Sequence, residues 1–295
     1  MNIKSEKIKK FLKYSIPAKI FIIAFFLFFV FQLVVHVYPF LFVINNSLKT
    51  AEEIYQDSMA LTTTWSFRNY LVMIQKFQVR GGIYFEELLF NSIWETALWL
   101  VANISSSVLV AYVLAKYRFP GHGLVYGIMI FTQTIPILGT GAAAYKLLHG
   151  LGMINNPAAI WFYWCNGFDY SAFILYGTFK GVSKSYSESA KLDGASNMKI
   201  FFSIMLPMMF PSIIALLVTN FLTMWNNYTT SQVSLSKFPN LAYGIYIFQK
   251  DALYMEEGDT IFYTALVASS IPGLVLYLSM QNLIVKNLSV GGLKG

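Results

Sequence analysis

The stretch "SESAKLDGASNMKIFFSIMLP", residues 187–207, breaks a chain of long apolar runs with a short segment of small and charged residues centred on a glycine. Its first half lies within "KSYSESAKLDGAS" (184–196), which has the helix formers for about two turns, Ser185 or Ser187 as N-cap, and Gly194 where the helix must stop. Its second half restarts as an apolar helix in which Pro207 and Pro211, four apart, share one face. Each proline removes a backbone donor and bends the helix unless neighbours compensate. A short polar helix joined stiffly to a kinked apolar one can pass a push between two solvents.

Composition names the second solvent. With 56% apolar residues, only 12% charged and a mean hydropathy of +0.55, a soluble domain of 295 residues would expose more apolar surface than it could bury. The net charge of +7 sits at the ends of apolar runs, without the interleaved aromatics of a nucleic-acid surface, so nucleic acid is excluded as a partner and membrane lipid is expected. A single cysteine, Cys165, cannot close an internal disulfide and reads as a small apolar filler. His36, His122 and His149 are too scattered to form a metal site.

Six apolar stretches have the roughly 20 residues a helix needs to cross a bilayer. They lie near 20–43, 91–115, 124–148, 158–180, 201–226 and 261–285. The first, after "KSEKIKKFLKYSIPAK", is too long for a signal peptide and no small-residue cleavage site follows it. Positive residues are retained on the cytoplasmic face. With both termini cytoplasmic, 14 of the 21 basic residues and only three of the 14 acids fall inside. All six tryptophans (Trp65, Trp94, Trp99, Trp161, Trp164, Trp225) then fall on or near the outer side. The expected fold is an all-α integral membrane protein: a basic cytoplasmic segment (1–19), one transmembrane domain (20–290) and a cytoplasmic tail (291–295). The opening stretch lies in its inner loop, 184–207.

In that loop Glu188-Ser189-Ala190 is followed by three residues, Gly194, nine residues, then Ile204-Met205-Leu206-Pro207. This resembles the coupling motif of bacterial ABC importer permeases at every spacing, with Ser189 in place of a central alanine. "DGAS" at 193–196, with "YPF" (38–40), "SLK" (47–49), "KYRFPG" (116–121), "GMINN" (152–156), "WNNY" (225–228) and "GGLKG" (291–295), is similar to the carbohydrate-uptake branch, whose type is the smaller membrane subunit of the maltose transporter. The resemblance implies half of a pore, partnered by a second, related permease, a cytoplasmic ATPase dimer and an outer substrate-binding protein. It implies that Glu188, Ser189, Ala190 and Asp193 belong to a helix that docks in the ATPase, with Gly194 as its turn and Leu206 and Pro207 as its junction to the fifth span. Taken alone, Glu188 is equally a solvated acid at a helix start. No glycine-rich phosphate loop ending in Lys-Ser or Lys-Thr occurs, so this chain is expected to bind no cofactor, with ATP and Mg in the ATPase subunits, and to be no enzyme itself.

The substrate path is expected among polar groups within or at the ends of spans, because lipid offers them no partners. Those residues are Gln133 and Thr134, Asn166 and Asp169, and Trp225, Asn226, Asn227 and Tyr228. A sugar would meet amides, hydroxyls and aromatic faces there. For any one tryptophan the interfacial belt is the stronger reading, and Asn226 and Asn227 also suit a helix end. The outer segments 44–90 and 229–260 are long for connectors. In the second, Tyr243, Tyr246, Gln249 and Asp251 are expected near the binding protein. Two rivals stay open: an importer permease for a non-sugar solute, and a stand-alone secondary transporter or intramembrane enzyme. The second is disfavoured because Glu95 and Asp169 read as lying toward the outer ends of their spans and no nucleophile motif or inverted repeat is evident.

Overall fold

The computed structural model describes residues 14–134 and 140–291. In chain order the elements are α1 (Ile16–Ser47), α2 (Ala51–Gln56), α3 (Arg68–Lys76), a hairpin of β1 (Gln78–Val79) and β2 (Ile83–Tyr84), α4 (Phe85–Lys116), α5 (His122–Thr134), α6 (Thr140–Gly150), α7 (Pro157–Trp164), α8 (Tyr170–Gly181), α9 (Ser185–Leu192), α10 (Asn197–Trp225), α11 (Thr229–Val233), α12 (Leu241–Asp251) and α13 (Gly258–Gly291). Among the described residues four helices are long and apolar enough to cross a membrane: α1, α4, α10, and α13 from Gly258 to Gln281. They extend the expected first and second stretches at both ends and match the bounds of the fifth and sixth within four residues.

The other two expected spans are built differently. The third lies in two helical pieces, α5 and α6, and its middle, 135–139, lies outside the described residues, as do the basic residues of 1–13 and the tail at 292–295. The fourth, expected as one helix over 158–180, is interrupted at 165–169. Gly167 turns the chain there at φ +63°, and the Asp169 carboxylate accepts from the Ala172 N–H at 3.0 Å as N-cap of a new helix, α8. Apolar content alone hid a turn and a cap inside a run of spanning length. The hairpin is a second departure, since Arg80, Gly81 and Gly82 all take positive φ in a turn that no apolar pattern announces.

Helix α4 is the central post. Its C-terminal half joins α5, α8 and the first half of α10 in one core, with Ala111, Met129, Leu175, Phe179 and Met205 fully enclosed. Its N-terminal end packs with the hairpin, α12 and α13 through Phe77, Leu88, Phe248 and Ile261. Helix α1 rests mainly on α13, with Phe42 edge-on to Tyr263 at 5.8 Å, and its most apolar 18-residue window is 0% buried. So wide an apolar surface needs lipid or a partner to cover it.

The segment after α1 folds onto that helix's end. Lys49, 1% exposed, donates to the Asp57 and Ser58 carbonyls, and Asn69 bridges the Ser47 and Lys49 carbonyls. Thr50 and Glu53 form a capping box that starts α2, and the Glu53 carboxylate also accepts from Thr62, the Thr63 N–H and hydroxyl, and Thr64.

Two predictions follow from these local geometries. A Cβ at Gly167 would sit 2.7 Å from Val110 Cγ2 and 3.0 Å from the Ser106 carbonyl, whereas one at Gly194, φ +79°, meets nothing within 4 Å. Gly194→Ala should therefore lower stability by about 1–2 kcal/mol, the left-handed backbone alone, and Gly167→Ala by about 2–5 kcal/mol. Unfolding in detergent compares the two, and equal losses would refute the close approach at Gly167. The second concerns Glu53, whose hydrogen bond from the Thr63 hydroxyl leads in holding its carboxyl down from 4.5 to about 2. A depressed carboxylate stabilises the fold above its unfolded pKa and loses that contribution as pH falls from about 4.5 toward 2. Hydrogen exchange over 50–64 should stay protected down to that window, and Thr63→Val should move the loss to higher pH.

Candidate functional site

Residue contacts along α4 separate two ends of the molecule. At its C-terminal end Lys116 Nζ donates to the Val182 carbonyl at 2.7 Å, which brings the start of α9 there. Near its N-terminal end Asn91 Nδ2 donates to the Pro239 carbonyl, and Asn240 Nδ2 to the buried Glu95 carboxylate, both at 3.0 Å.

At the first end stands α9. None of its residues is buried. The N-cap is Lys184 without a side-chain cap, in place of the expected Ser185 or Ser187: the Ser183 hydroxyl accepts from the Ser185 N–H and shares a hydrogen bond with the Ser185 hydroxyl. At the other end of α9 Gly194 N–H bonds the Lys191 carbonyl at 3.0 Å and Ala195 N–H bonds the Ala190 carbonyl at 2.9 Å. These two bonds make a Schellman cap with Gly194 in the left-handed position. Ala190 and Ala195 pack against the main core, so the inner face of α9 is anchored while Glu188, Ser189 and Asp193 point to solvent. Leu192, beside them, is 89% exposed. Spacing alone had no signal for Leu192, since one leucine in a polar helix reads as buried.

The chain re-enters helix at once. Ser196 caps α10 by accepting from the Lys199 N–H, and Phe201–Met205 form a π-turn in which the Leu206 N–H reaches back to the Phe201 carbonyl. That widened turn directly precedes Pro207, where a regular helix would crowd the proline ring. The expected bend is thus absorbed as a π-bulge in a continuous helix, and Leu206 packs on the same core as Ala190.

At mid-length lies the break between α7 and α8. Asp169 accepts from Asn103 Nδ2 and from the Ser107 hydroxyl, each at 2.7 Å. Asn220 Nδ2 of α10 donates to the Ser171 hydroxyl at 2.8 Å and to Asn103 Oδ1 at 3.2 Å. Asp169 therefore lies against the middle of α4, which corrects its placement toward an outer end: the unwound segment pulls it inward. Both its oxygens already accept hydrogen bonds, which suits a fixed structural carboxylate better than a proton carrier. Gln133 joins the break by donating to the Phe168 carbonyl at 3.1 Å, while Asn166 accepts from the Phe168 N–H at 2.7 Å. The exposed Thr134 hydroxyl turns back to the Ile130 carbonyl. Asn103 and Asn220 escaped the sequence reading, although two amides deep in apolar runs were a visible signal.

At the second end the remaining candidates separate. Trp225 is buried, stacks on Phe221 and donates to the Ser269 carbonyl of α13 at 2.9 Å. Asn226 caps α10 through the Leu222 carbonyl, and Asn227 Oδ1 accepts from the Thr230 N–H. Tyr228, Tyr246 and Tyr243 form a stacked row, closed by the Arg80 guanidinium 5.0 Å over Tyr243 and bonded to its hydroxyl. Gln249 and Asp251 are exposed farther along α12.

Known proteins share this architecture. The chain is 29% identical to the diacetylchitobiose uptake system permease protein of Streptomyces coelicolor over 88% of this chain and 84% of that protein. It is 25% identical to the arabinooligosaccharides transport system permease protein of Bacillus subtilis over 96% of this chain and all of that one. Among solved structures, a chain of a bacterial ABC transporter that imports the acidic polysaccharide alginate superposes with a TM-score of 0.76, at 22% identity, over 91% of this chain and 98% of that chain. The family model for the binding-protein-dependent transport system inner membrane component matches residues 107–290, more than half of the sequence, and the chain belongs to that family.

Proposed function

We propose that this chain is one half of the membrane pore of a binding-protein-dependent ABC importer for a sugar or oligosaccharide. The observation that carries the proposal is α9, a short helix with no buried residue, held rigidly to α10 by a Schellman cap and presenting Glu188 and Leu192 to solvent. An exposed leucine beside an acid on an anchored helix suits insertion into a protein cleft. The carbohydrate assignment is supported by relatives named for diacetylchitobiose, arabinooligosaccharides and starch degradation products.

In this proposal six segments cross the membrane, α5 with α6 and α7 with α8 each making one crossing, and both termini are cytoplasmic. Helix α9 docks on a cytoplasmic ATPase dimer that binds ATP and Mg, since this chain holds no phosphate loop and performs no reaction itself. Closure of the ATPases moves α9, and α10 carries that displacement to Asn220 and the break at 165–169. Gln133, Thr134, Asn166 and Asp169 then border the path opened and closed by the motion, with Trp225, Asn226, Asn227 and Tyr228 toward the outer mouth. The second, related permease completes the pore, and the outer end, with Tyr243, Tyr246, Gln249 and Asp251, receives the binding protein.

Glu188→Lys in the assembled complex should cut binding-protein-stimulated ATP hydrolysis by about tenfold or more, as charge reversal at an interface does, with the helical spectrum unchanged. Unchanged stimulation would remove the charge from the mechanism. Leu192→Ala should weaken association with the ATPase dimer roughly ten- to hundredfold, the loss for one fully buried leucine, measured by titrating the ATPase onto the permease pair. Equal affinity would show that α9 does not insert.

A further inference from the structure

On the end opposite α9 lies a cavity of ≈ 160 Å³ between α6, α7 and α11. Its floor is formed by Leu148, Ile160 and Trp164, which belong to one apolar cluster. Its rim is polar. Tyr163, Thr229, Thr230 and Ser234 bring hydroxyls to it, and among the described residues none of these hydroxyls makes a hydrogen bond. Asn227 Oδ1 is held by the Thr230 N–H at 3.1 Å, which fixes the amide and leaves its Nδ2 donors unspent. Among the described residues no lysine, arginine, histidine, aspartate or glutamate lines the cavity.

The walls are set before any ligand arrives. Asn155, at φ +56°, donates its N–H to the Ser234 carbonyl at 2.8 Å, and its Oδ1 accepts from the Lys237 N–H at 2.8 Å, clamping the loop before α7 to the loop after α11. A preformed, mostly apolar cleft with a few convergent polar groups is the usual form of a small-molecule site. A closed cavity of about 150 Å³ holds one benzene-sized ring; this one is open on one side, so a sugar ring would seat one face and edge in it. A sugar ring has matching chemistry: C–H faces that lie on aromatic and aliphatic walls, and a girdle of hydroxyls that exchange hydrogen bonds with hydroxyls and amides. A carboxylate, phosphate or ammonium would find no countercharge here and would lose its hydration.

The geometry points to this cavity as a subsite for a single uncharged sugar ring at the outer mouth, with Asn227, Thr230 and Ser234 as its hydrogen-bonding edge and Trp164 as its floor. This assignment rests on the carbohydrate reading above and narrows it to neutral rings.

Proteoliposomes containing the complete transporter, supplied with its binding protein, test it with five probes: diacetylchitobiose, arabinotriose, galactotriose, maltotriose and digalacturonate. Ala144→Leu fills the cavity, and the double substitution Thr230→Val with Ser234→Ala removes two rim hydroxyls while keeping its shape. For whichever neutral sugar the unaltered complex carries, both changes should lower the sugar moved per ATP hydrolysed, by about tenfold for two lost hydrogen bonds, while stimulated hydrolysis stays within about twofold. A folding defect would depress hydrolysis and uptake together. Should Ala144→Leu do so, the shape-conserving double substitution decides. A neutral sugar carried at an unchanged ratio by the double variant overturns the subsite and leaves the carbohydrate reading standing. Uptake of digalacturonate alone overturns the neutral-ring assignment, and uptake of none of the probes overturns the carbohydrate reading with it.

Discussion

The carboxylate of Asp169 holds the membrane part of this molecule together. It accepts from Asn103 and Ser107 of α4 and caps α8 through the Ala172 N–H, all within 3.0 Å. Where lipid surrounds the bundle, an interrupted helix exposes backbone groups that only protein can satisfy. The break at 165–169 survives because Asp169 takes up an open N–H, because Gln133 meets the Phe168 carbonyl, and because Gly167 lets the chain lie against the Ser106 carbonyl without a side chain between. Without that carboxylate, α7 and α8 would lack both the cap that separates them and the hydrogen bonds that seat them on α4.

Helix α10 relates this network to the two ends of the protein. At its start it is joined through Gly194 and Ser196 to α9, at its middle Asn220 reaches Asn103 and Ser171, and at its end Trp225 is bonded to α13. The π-turn at Phe201–Met205 keeps it continuous across Pro207, so the joint between α9 and the bundle is a helix rather than a loop. In the proposed cycle that continuity lets a small displacement at α9 arrive at the break as a displacement and not as slack.

The parts of the site that were legible in the sequence are those whose physics is local. Gly194 stands where a short helix must reverse, and the structure gives it φ +79° and both bonds of the cap. Apolar runs of spanning length are equally local, and four of them return as single long helices. Asn103, Asn220 and Arg80 acquire meaning only through partners 66, 49 and 163 residues away: Asp169, Ser171 and Tyr243. The break between α7 and α8 was hidden for a related reason: an apolar window records how greasy a stretch is, while the interruption was decided by one glycine and one capping acid within it.

By itself the sequence determined the solvent, the length and number of the apolar runs and the place of the short polar helix. These depend on composition and on spacing along the chain, which folding does not alter. Only the tertiary structure decided that Asp169 lies at mid-length, that Tyr228, Tyr243 and Tyr246 share a row, that Trp225 is a packed joint, and that α6, α7 and α11 line a common cavity. Each of those depends on how helices distant in sequence approach one another, and in an apolar solvent that approach is governed by a few hydrogen bonds and close contacts rather than by hydrophobicity, which is nearly the same on every face.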